Sequence, residues 1–236
     1  MSQSKGRGSG RPSDVPPAVV SRLSLYLREL QHMIRCGRET TSSTRLGGRL
    51  GCTDAQVRKD LACFGQFGYP GIGYRCAELA DRIRVILGTD RQWPVALVGL
   101  GNLGRALLRY KGFEEQGFRF VAAFDVDRRK VGKAVESIPV LHFDQFESAA
   151  TEFGIRLAVI AVPAGAAQAV ADRLVAAGLE GMLNFAPVTL NLPGRVSSVG
   201  VDLAIELEQL SFAVVNAGQN PETRDPAAPD GDYPVV

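Results

Sequence analysis

Two periodicities divide the chain. Up to Leu87 apolar residues recur at spacings of three and four, and beyond Trp93 short apolar runs alternate with helical stretches. In the first region Val19, Leu23, Tyr26, Leu27, Leu30, Met33 and Ile34 form a helical stripe stopped by Gly37. Asp14 is a candidate cap ahead of Pro16 and Pro17, which a first helical turn tolerates. Ser42 or Ser43 then caps a short second helix with Leu46 and Leu50 inward, and Gly51 makes the turn. Thr53 or Asp54 caps a third helix over residues 55–64, with Val57, Leu61 and Phe64 inward. Residues 67–75, dense in glycine, proline and aromatics, predict a hairpin loop. A helix over residues 77–87 follows, with Leu79, Ile83 and Ile86 inward and Gly88 at its end.

The second region predicts alternating strands and helices. Val95-Ala96-Leu97-Val98 is an apolar run, Gly99-Leu100-Gly101-Asn102-Leu103-Gly104 a glycine turn, and residues 105–111 a helix. A second strand over 118–124 closes on Asp125. Pro139-Val140-Leu141 is a short strand, 143–153 a helix, and 157–162 an all-apolar strand of the kind a parallel sheet requires. An alanine-rich helix runs to Ala177, and strands follow over 181–185 and 196–201. The last helix, 202–215, carries Leu203, Leu207 and Leu210 on one face and Ile205, Phe212 and Val214 on others. It therefore needs burial on more than one side, as on a second subunit. The tails, 1–14 and 217–236, read as disordered.

Charge changes this picture in one respect. The net charge is only +2, yet residues 1–90 hold 14 Lys and Arg against 8 Asp and Glu, and residues 91–236 hold 13 against 17. A basic first part on a near-neutral chain points to a polyanion partner for that part, against the plain alternative of unevenly drawn surface charge. The first residues lack the apolar block of a secretory signal, and no apolar run reaches spanning length, so the expected location is the cytoplasm, with no membrane partner. Cys36, Cys52, Cys63 and Cys76 show no metal-ligand spacing, and no metal is expected.

The chemistry-bearing stretch is strand, glycine turn, helix, strand, acid. Gly99 permits a sharp turn, Gly101 lets backbone approach a pyrophosphate, and Gly104 lets helix and strand pack closely. The helix start offers N–H groups and a positive dipole end to phosphates. Asp125 stands where an acid binds the ribose 2′-OH, which favours NAD over NADP, although Arg128, Arg129 and Lys130 nearby could accept a phosphate. The alternative is a βαβ unit that binds nothing. Ligands of such sheets sit beyond the carboxyl ends of the strands. That adds Val162, Pro163 and Ala164, on to Ala166, and the segment 184–187 beginning with Asn184, to the crevice. In the first region, two short helices about a glycine turn read as a helix-turn-helix, or else as a small helical bundle with solvated charges. In the former, Gln56, Arg58 and Lys59 face the major groove, and the hairpin after them is a wing along the DNA backbone or minor groove.

Several segments resemble the Rex family of redox-sensing transcriptional repressors. They include Gln56-Val57-Arg58-Lys59-Asp60-Leu61, Phe64-Gly65-Gln66-Phe67-Gly68, Gly71-Ile72-Gly73-Tyr74, the glycine motif, Phe124-Asp125-Val126-Asp127, Leu183-Asn184-Phe185-Ala186-Pro187 and Val201-Asp202-Leu203. They run in order from about residue 15 to residue 215. The resemblance implies a winged-helix domain over 15–88, a Rossmann-type doubly wound parallel sheet over 89–201, and a helix over 202–216 exchanged within a homodimer. It implies NADH and NAD⁺ as ligands, double-stranded operator DNA as partner, and release of the operator by NADH. Carried over by motif, Arg58 and Lys59 contact DNA, with Ser42, Ser43, Gly71, Gly73 and Tyr74 beside them. Tyr110 lies near the nicotinamide, and Asp202 exchanges partners, Arg28 among them, between two states. Where the family has Gly-Val and an Ala-Gln helix start, this chain has Gly51-Cys52 and Thr53-Asp54. Three alternatives remain: an NAD-dependent dehydrogenase with an accessory helical domain, a nucleotide-binding structural domain without DNA function, or, from likeness to CoA-binding domains, a different nucleotide. The first lacks an evident acid/base constellation, so no catalytic residue is expected.

Overall fold

The computed structural model describes residues 15–217. The expected tails and the Asp14 cap lie outside the described residues, save Ala217 at the end of the last helix. The described residues form two compact units, one taking those up to Trp93 with Lys111–Arg119, the other Pro94–Tyr110 and those from Phe120 to Ala217.

In the first unit, α1 (Pro17–Arg35) buries Leu23, Tyr26, Leu27, Leu30 and Met33, as its stripe predicts. Ile34, expected on that stripe, is exposed on the final turn. β1 (Thr40–Thr41) leads into α2 (Ser43–Leu50), whose N-terminus is held by the Ser42 side chain accepting the Arg45 N–H at 3.1 Å. Gly51 ends α2 in the left-handed conformation, and Thr53 caps α3 (Asp54–Ala62) by accepting the Gln56 N–H at 3.1 Å. Helix and turn meet at a glycine, since a Cβ on Gly47 would stand 2.5 Å from the Cys52 carbonyl oxygen. β2 (Tyr74–Arg75) pairs antiparallel with β1, and α4 (Cys76–Leu87) closes the core with Leu79, Ala80 and Ile83. This is the helix-turn-helix with a wing, its tip hairpin tied by reciprocal bonds between Tyr69 and Gly73.

The second unit is built on β3 (Trp93–Val98), α5 (Asn102–Arg109) and β4 (Phe118–Asp125). Between the last two, α6 (Gly112–Glu115) belongs to the first unit, where the Gln116 amide donates to Gln31 Oε1 at 3.2 Å. Then come β5 (Ala134–Val135), β6 (Ile138–His142), a 3₁₀ turn (Phe143–Gln145) and α7 (Phe146–Phe153). β7 (Leu157–Ile160), α8 (Ala164–Ala176), β8 (Gly181–Asn184), β9 (Ser197–Gly200) and α9 (Leu203–Ala217) complete it. The sheet order is β5-β6-β4-β3-β7-β8-β9. Of these, β4–β6, β3–β7, β7–β8 and β8–β9 are parallel and β5–β6 antiparallel.

Alternation along the strands divides the residues between two faces. Ala96, Val98, Ala122, Phe124, Ala158 and Ile160 share one core with α7 and α8, where Phe124 and Phe146 meet edge to face at 4.9 Å. Leu97 turns the other way, toward Gly104 at the start of α5. Helices on both faces make the sheet doubly wound. Its order reverses at β3, so the glycine turn after β3 stands at the topological switch point, where such sheets bind ligands.

Candidate cofactor and DNA sites

Three glycines at the switch point do three different things. Gly99 has φ +99°, and a Cβ there would lie 2.4 Å from the Ala161 carbonyl oxygen and 2.9 Å from Val162 Cγ1. Gly104 carries helix against strand: its Cβ would stand 2.1 Å from the Gly99 carbonyl oxygen. A Cβ on Gly101 would meet nothing within 4 Å. That open space lies over the start of α5, whose first helical hydrogen bond is Arg105 N–H to the Gly101 carbonyl. The N–H groups of Asn102, Leu103 and Gly104 thus precede the hydrogen-bonded ladder, at the positive end of the helix dipole. A pyrophosphate fits this cradle: it has room, donors and complementary field.

Asp125 ends β4 beside the cradle, 9% exposed. Its Oδ2 accepts the Leu100 N–H and the Lys130 ammonium, both at 2.8 Å, and its Oδ1 accepts the Asp127 N–H at 2.9 Å. Burial pushes its pKa up, but the Lys130 bond and the two backbone N–H groups outweigh that, and the carboxyl lies below its usual range. The carboxylate expected to meet a ribose therefore already ties the glycine turn to the end of β4. Two residues on, Asp127 is held down to about pKa 2 by Arg129, which donates to both its oxygens. Of the three nearby basic residues, Lys130 and Arg129 are thus paired with acids.

The carboxyl ends of β3, β7 and β8 are level, with Val98 opposite Ile160 and Ile160 opposite Asn184. Val162, Pro163 and Ala164 follow directly, with Ala164 opening α8. Asn184 is buried, and its side chain is spent on its own loop. Its amide donates to the Ala186 and Val188 carbonyls at 3.1 and 2.9 Å, and its oxygen accepts the Ala186 N–H at 3.0 Å. It shapes the crevice wall instead of reaching into the crevice. A cavity of about 460 Å³ opens beside it, lined also by Pro187, Gly200, Val201 and Asp202. Asp202 precedes α9 and accepts the Ala204 N–H at 2.9 Å. Tyr110 ends α5, 63% exposed, and Arg28 is exposed on α1 of the first unit.

On the helix-turn-helix, Lys59 is exposed, and Arg58 is exposed but engaged: it donates to Asp54 at 2.6 Å and to Ser43 Oγ at 3.1 Å. Ser42 is committed to capping α2. Gln56 differs from the expectation of a base-reading side chain. Its amide donates to the buried Asp60 carboxylate at 2.6 Å, because residues 56 and 60 lie one turn apart. Tyr74 corrects the sequence reading outright. It is 8% exposed within the first unit's core, and burial raises its pKa. Strand alternation gives the outward place to Arg75, which stacks over Tyr69 at 5.1 Å. Gly71 and Gly73 serve the wing's shape: both have positive φ, and a Cβ on Gly73 would strike the Thr41 carbonyl at 2.4 Å.

The comparisons with known proteins cover both units of the chain. The family described as "Putative DNA-binding protein N-terminus" matches residues 14–62, and that described as "CoA binding domain" matches residues 90–188. A redox-sensing transcriptional repressor Rex from Carboxydothermus hydrogenoformans is 48% identical, over 85% of this chain and 96% of its own length. One from Streptomyces coelicolor is 44% identical over 98% of this chain and 87% of its own. The chain belongs to the Rex family of redox-sensing transcriptional repressors. The fold agrees with that of a Rex-family repressor, RSP, solved with β-NAD⁺ and operator DNA. That structure has a TM-score of 0.82 and 32% identity, and the match covers 91% of this chain and 99% of RSP. RSP with β-NADH gives a TM-score of 0.79 at 32% identity, over 87% of this chain and 97% of RSP.

Within the Rex pattern the motif reading found the glycine cradle and α3 but missed two features. Lys130 pairs with Asp125 five residues back, a spacing that no periodicity announces. Asp60, adjacent to the motif's Arg-Lys pair, is 1% exposed and anchored to Arg22 and Tyr26 of α1. The signal for it was a charged residue in phase with Val57 and Leu61 on the buried face.

Proposed function

We propose that this chain represses transcription by binding operator DNA through α3, the start of α2 and the wing, and that NADH bound at the 99–104 turn releases the operator. NAD⁺ competes for the same cradle without releasing DNA. The observation that carries this reading is the open space at Gly101 over unladdered N–H groups, in a chain whose other unit is a winged helix-turn-helix with Lys59 and Arg58 outward. The protein's place of work would be the cytoplasm, with the chromosome.

The reading includes a homodimer in which α9 is exchanged. Leu203, Leu207, Leu210, Phe212 and Val214 are each more than half exposed, which is what a helix covered by a second subunit presents alone. It also includes a switch made of Arg28, Tyr110 and Asp202. The dehydrogenase alternative is not favoured, since the relatives are named as repressors. The strand ends offer Val162, Pro163 and Asn184 where a dehydrogenase needs a general acid or base.

The test is fluorescence anisotropy at fixed salt with a duplex selected by the protein from a random-sequence pool, titrated with NADH and separately with NAD⁺. Release by NADH at concentrations where NAD⁺ leaves the complex intact is the expected result. Enrichment of no sequence, or equal release by both nucleotides, overturns the reading.

A further inference from the structure

The buried carboxylate of Asp60 carries more hydrogen bonds than holding a core together requires. It follows Lys59 on α3 but faces inward, 1% exposed. Arg22 forks onto it, Nε to Oδ2 at 2.5 Å and Nη2 to Oδ1 at 2.8 Å. The Tyr26 hydroxyl donates to Oδ2 at 2.7 Å, and the Gln56 amide donates to Oδ1 at 2.6 Å. Arg22 and Tyr26 stand one turn apart on α1, so two groups of one helix grip one carboxylate of another.

A pair of apolar side chains would join α1 to α3 at no desolvation cost, and buried ion pairs are often no more stable than such a replacement. What apolar contact does not supply is direction. A guanidinium fork fixes the plane and angle of the carboxylate it holds. Asp60 is rigidly part of α3, and Arg58 and Lys59 are its immediate neighbours. Rotation of α3 about its own axis decides where those two side chains point, and the three donors from α1 define that rotation, while Gln56 braces the carboxylate from within α3.

We infer that Asp60 is a positioning residue for operator readout: clamped by Arg22 and Tyr26, it sets the rotation of α3 against α1 and so the aim of Arg58 and Lys59. It also accounts for Arg22 and Gln56. Both are of types suited to DNA contact, and both are turned to the carboxylate instead. This inference rests on the operator-binding role of α3 proposed above.

The experiment uses the full chain, the duplex selected by the wild type from a random-sequence pool, and the same duplex with single base-pair substitutions. Tyr26→Phe removes one donor and leaves the Arg22 fork. Asp60→Asn puts an amide N–H₂ against the guanidinium. For Tyr26→Phe the ratio of affinities for the selected and substituted duplexes should fall about tenfold, equivalent to ~1.4 kcal/mol. Asp60→Asn should lose more, and NADH affinity should stay at wild type in both. A purely structural role would lower the melting temperature and leave that ratio unchanged well below melting, which overturns the inference. Tyr26→Phe decides alone where Asp60→Asn does not fold. A wild type that enriches no sequence removes the operator reading, and this inference with it. A wild type that discriminates, with Tyr26→Phe discriminating equally well, removes the positioning role alone.

Discussion

The Lys130 ammonium and the Leu100 N–H converge on one oxygen of Asp125, each at 2.8 Å. One carboxylate thereby neutralises a basic residue that could otherwise accept a 2′-phosphate and fixes the glycine turn proposed to hold the pyrophosphate. Asp125→Ala should weaken NADH binding by about 1.5–3 kcal/mol, the usual loss for a hydrogen bond to a charged group. It should also narrow the preference for NADH over NADPH, because Lys130 loses its partner. Calorimetry with both nucleotides measures the two effects. A variant that binds NADH as the wild type does would remove Asp125 from the site.

Gly101 and Gly104 make opposite predictions for the same substitution. A Cβ at Gly101 enters open space and the residue has φ −79°, so Gly101→Ala should melt with the wild type. It should nevertheless lose NADH affinity, because the methyl enters the space proposed for the pyrophosphate. Gly104→Ala puts a methyl 2.1 Å from the Gly99 carbonyl oxygen and should melt early even without ligand. Overpacking of this kind costs about 1–3 kcal/mol. Thermal melts with and without NADH separate the cases, and a Gly101→Ala protein with wild-type affinity would place the phosphates elsewhere.

On the proposed DNA-binding face, Asp54 holds Arg58 at 2.6 Å and brings negative charge to the start of α3. Asp54→Asn should tighten operator binding severalfold by releasing Arg58, and Arg58→Ala should weaken it. Lys59→Ala should reduce the slope of log affinity against log salt by about one unit, as for one lost phosphate contact. If Asp54→Asn weakened binding, the aspartate would be ordering Arg58 for DNA instead of competing for it.

What the sequence revealed follows from which forces are local. The order of strands and helices was legible because apolar period and glycine position are read one element at a time. Gly99 and Gly104 have the turn and the close packing their spacing implied, and Gly101 leaves the open space its proposed role requires. Tyr74 was misplaced because a two-residue strand gives no alternation to count, so nothing in sequence said which of Tyr74 and Arg75 faces inward. Gln56 and Asn184 have the right chemistry for a ligand, but local partners took them, Asp60 one turn on and the 186–188 backbone. The Arg22–Asp60 pair spans 38 residues and exists only once α1 packs on α3. The β5–β6 hairpin, turned by Glu136 and Ser137 at positive φ, lacked the glycine that announces such turns.

Stability should hold across neutral pH and fall on both sides, for identifiable reasons. Burial raises the Asp60 and Asp125 carboxyls, but Arg22, Tyr26 and Gln56 for the first, and Lys130 with two N–H groups for the second, bring both below the usual range. A lowered carboxyl contributes stability that is complete above the unfolded value of about 4 and is lost as pH falls through the folded one. The Tyr26 hydroxyl is raised by burial and by its bond to Asp60. Its contribution is complete below the unfolded value of about 10 and is lost as pH rises beyond it. Melting temperature against pH should therefore be level between about 5 and 9. Tyr26→Phe should make the alkaline decline shallower, with buried Tyr74 retaining part of it. An unchanged alkaline limb in that variant would detach Tyr26 from the effect.

The proposed switch turns on Asp202. NADH and NAD⁺ differ chiefly in the charge of the nicotinamide ring, so a discriminating residue must be charged and must have alternative partners. Asp202 stands where α9 begins, at the edge of the cavity beside Asn184, and its carboxylate caps the helix by accepting the Ala204 N–H at 2.9 Å. A ligand moves a two-state equilibrium only by binding one state better than the other. Cap and switch can be separated by choice of substitution. Asparagine caps a helix about as well as aspartate but carries no charge, whereas alanine does neither and costs about 1 kcal/mol of cap. Asp202→Asn should therefore melt with the wild type and still bind both operator and NADH, yet lose most of the NADH-driven release. Asp202→Ala should lose the release and melt early as well. Operator affinity with and without saturating NADH, with a melt of each variant, checks all of this. If Asp202→Asn kept full release while Asp202→Ala only melted early, Asp202 would be a helix cap, and the charge that reads the nicotinamide would have to lie on another residue.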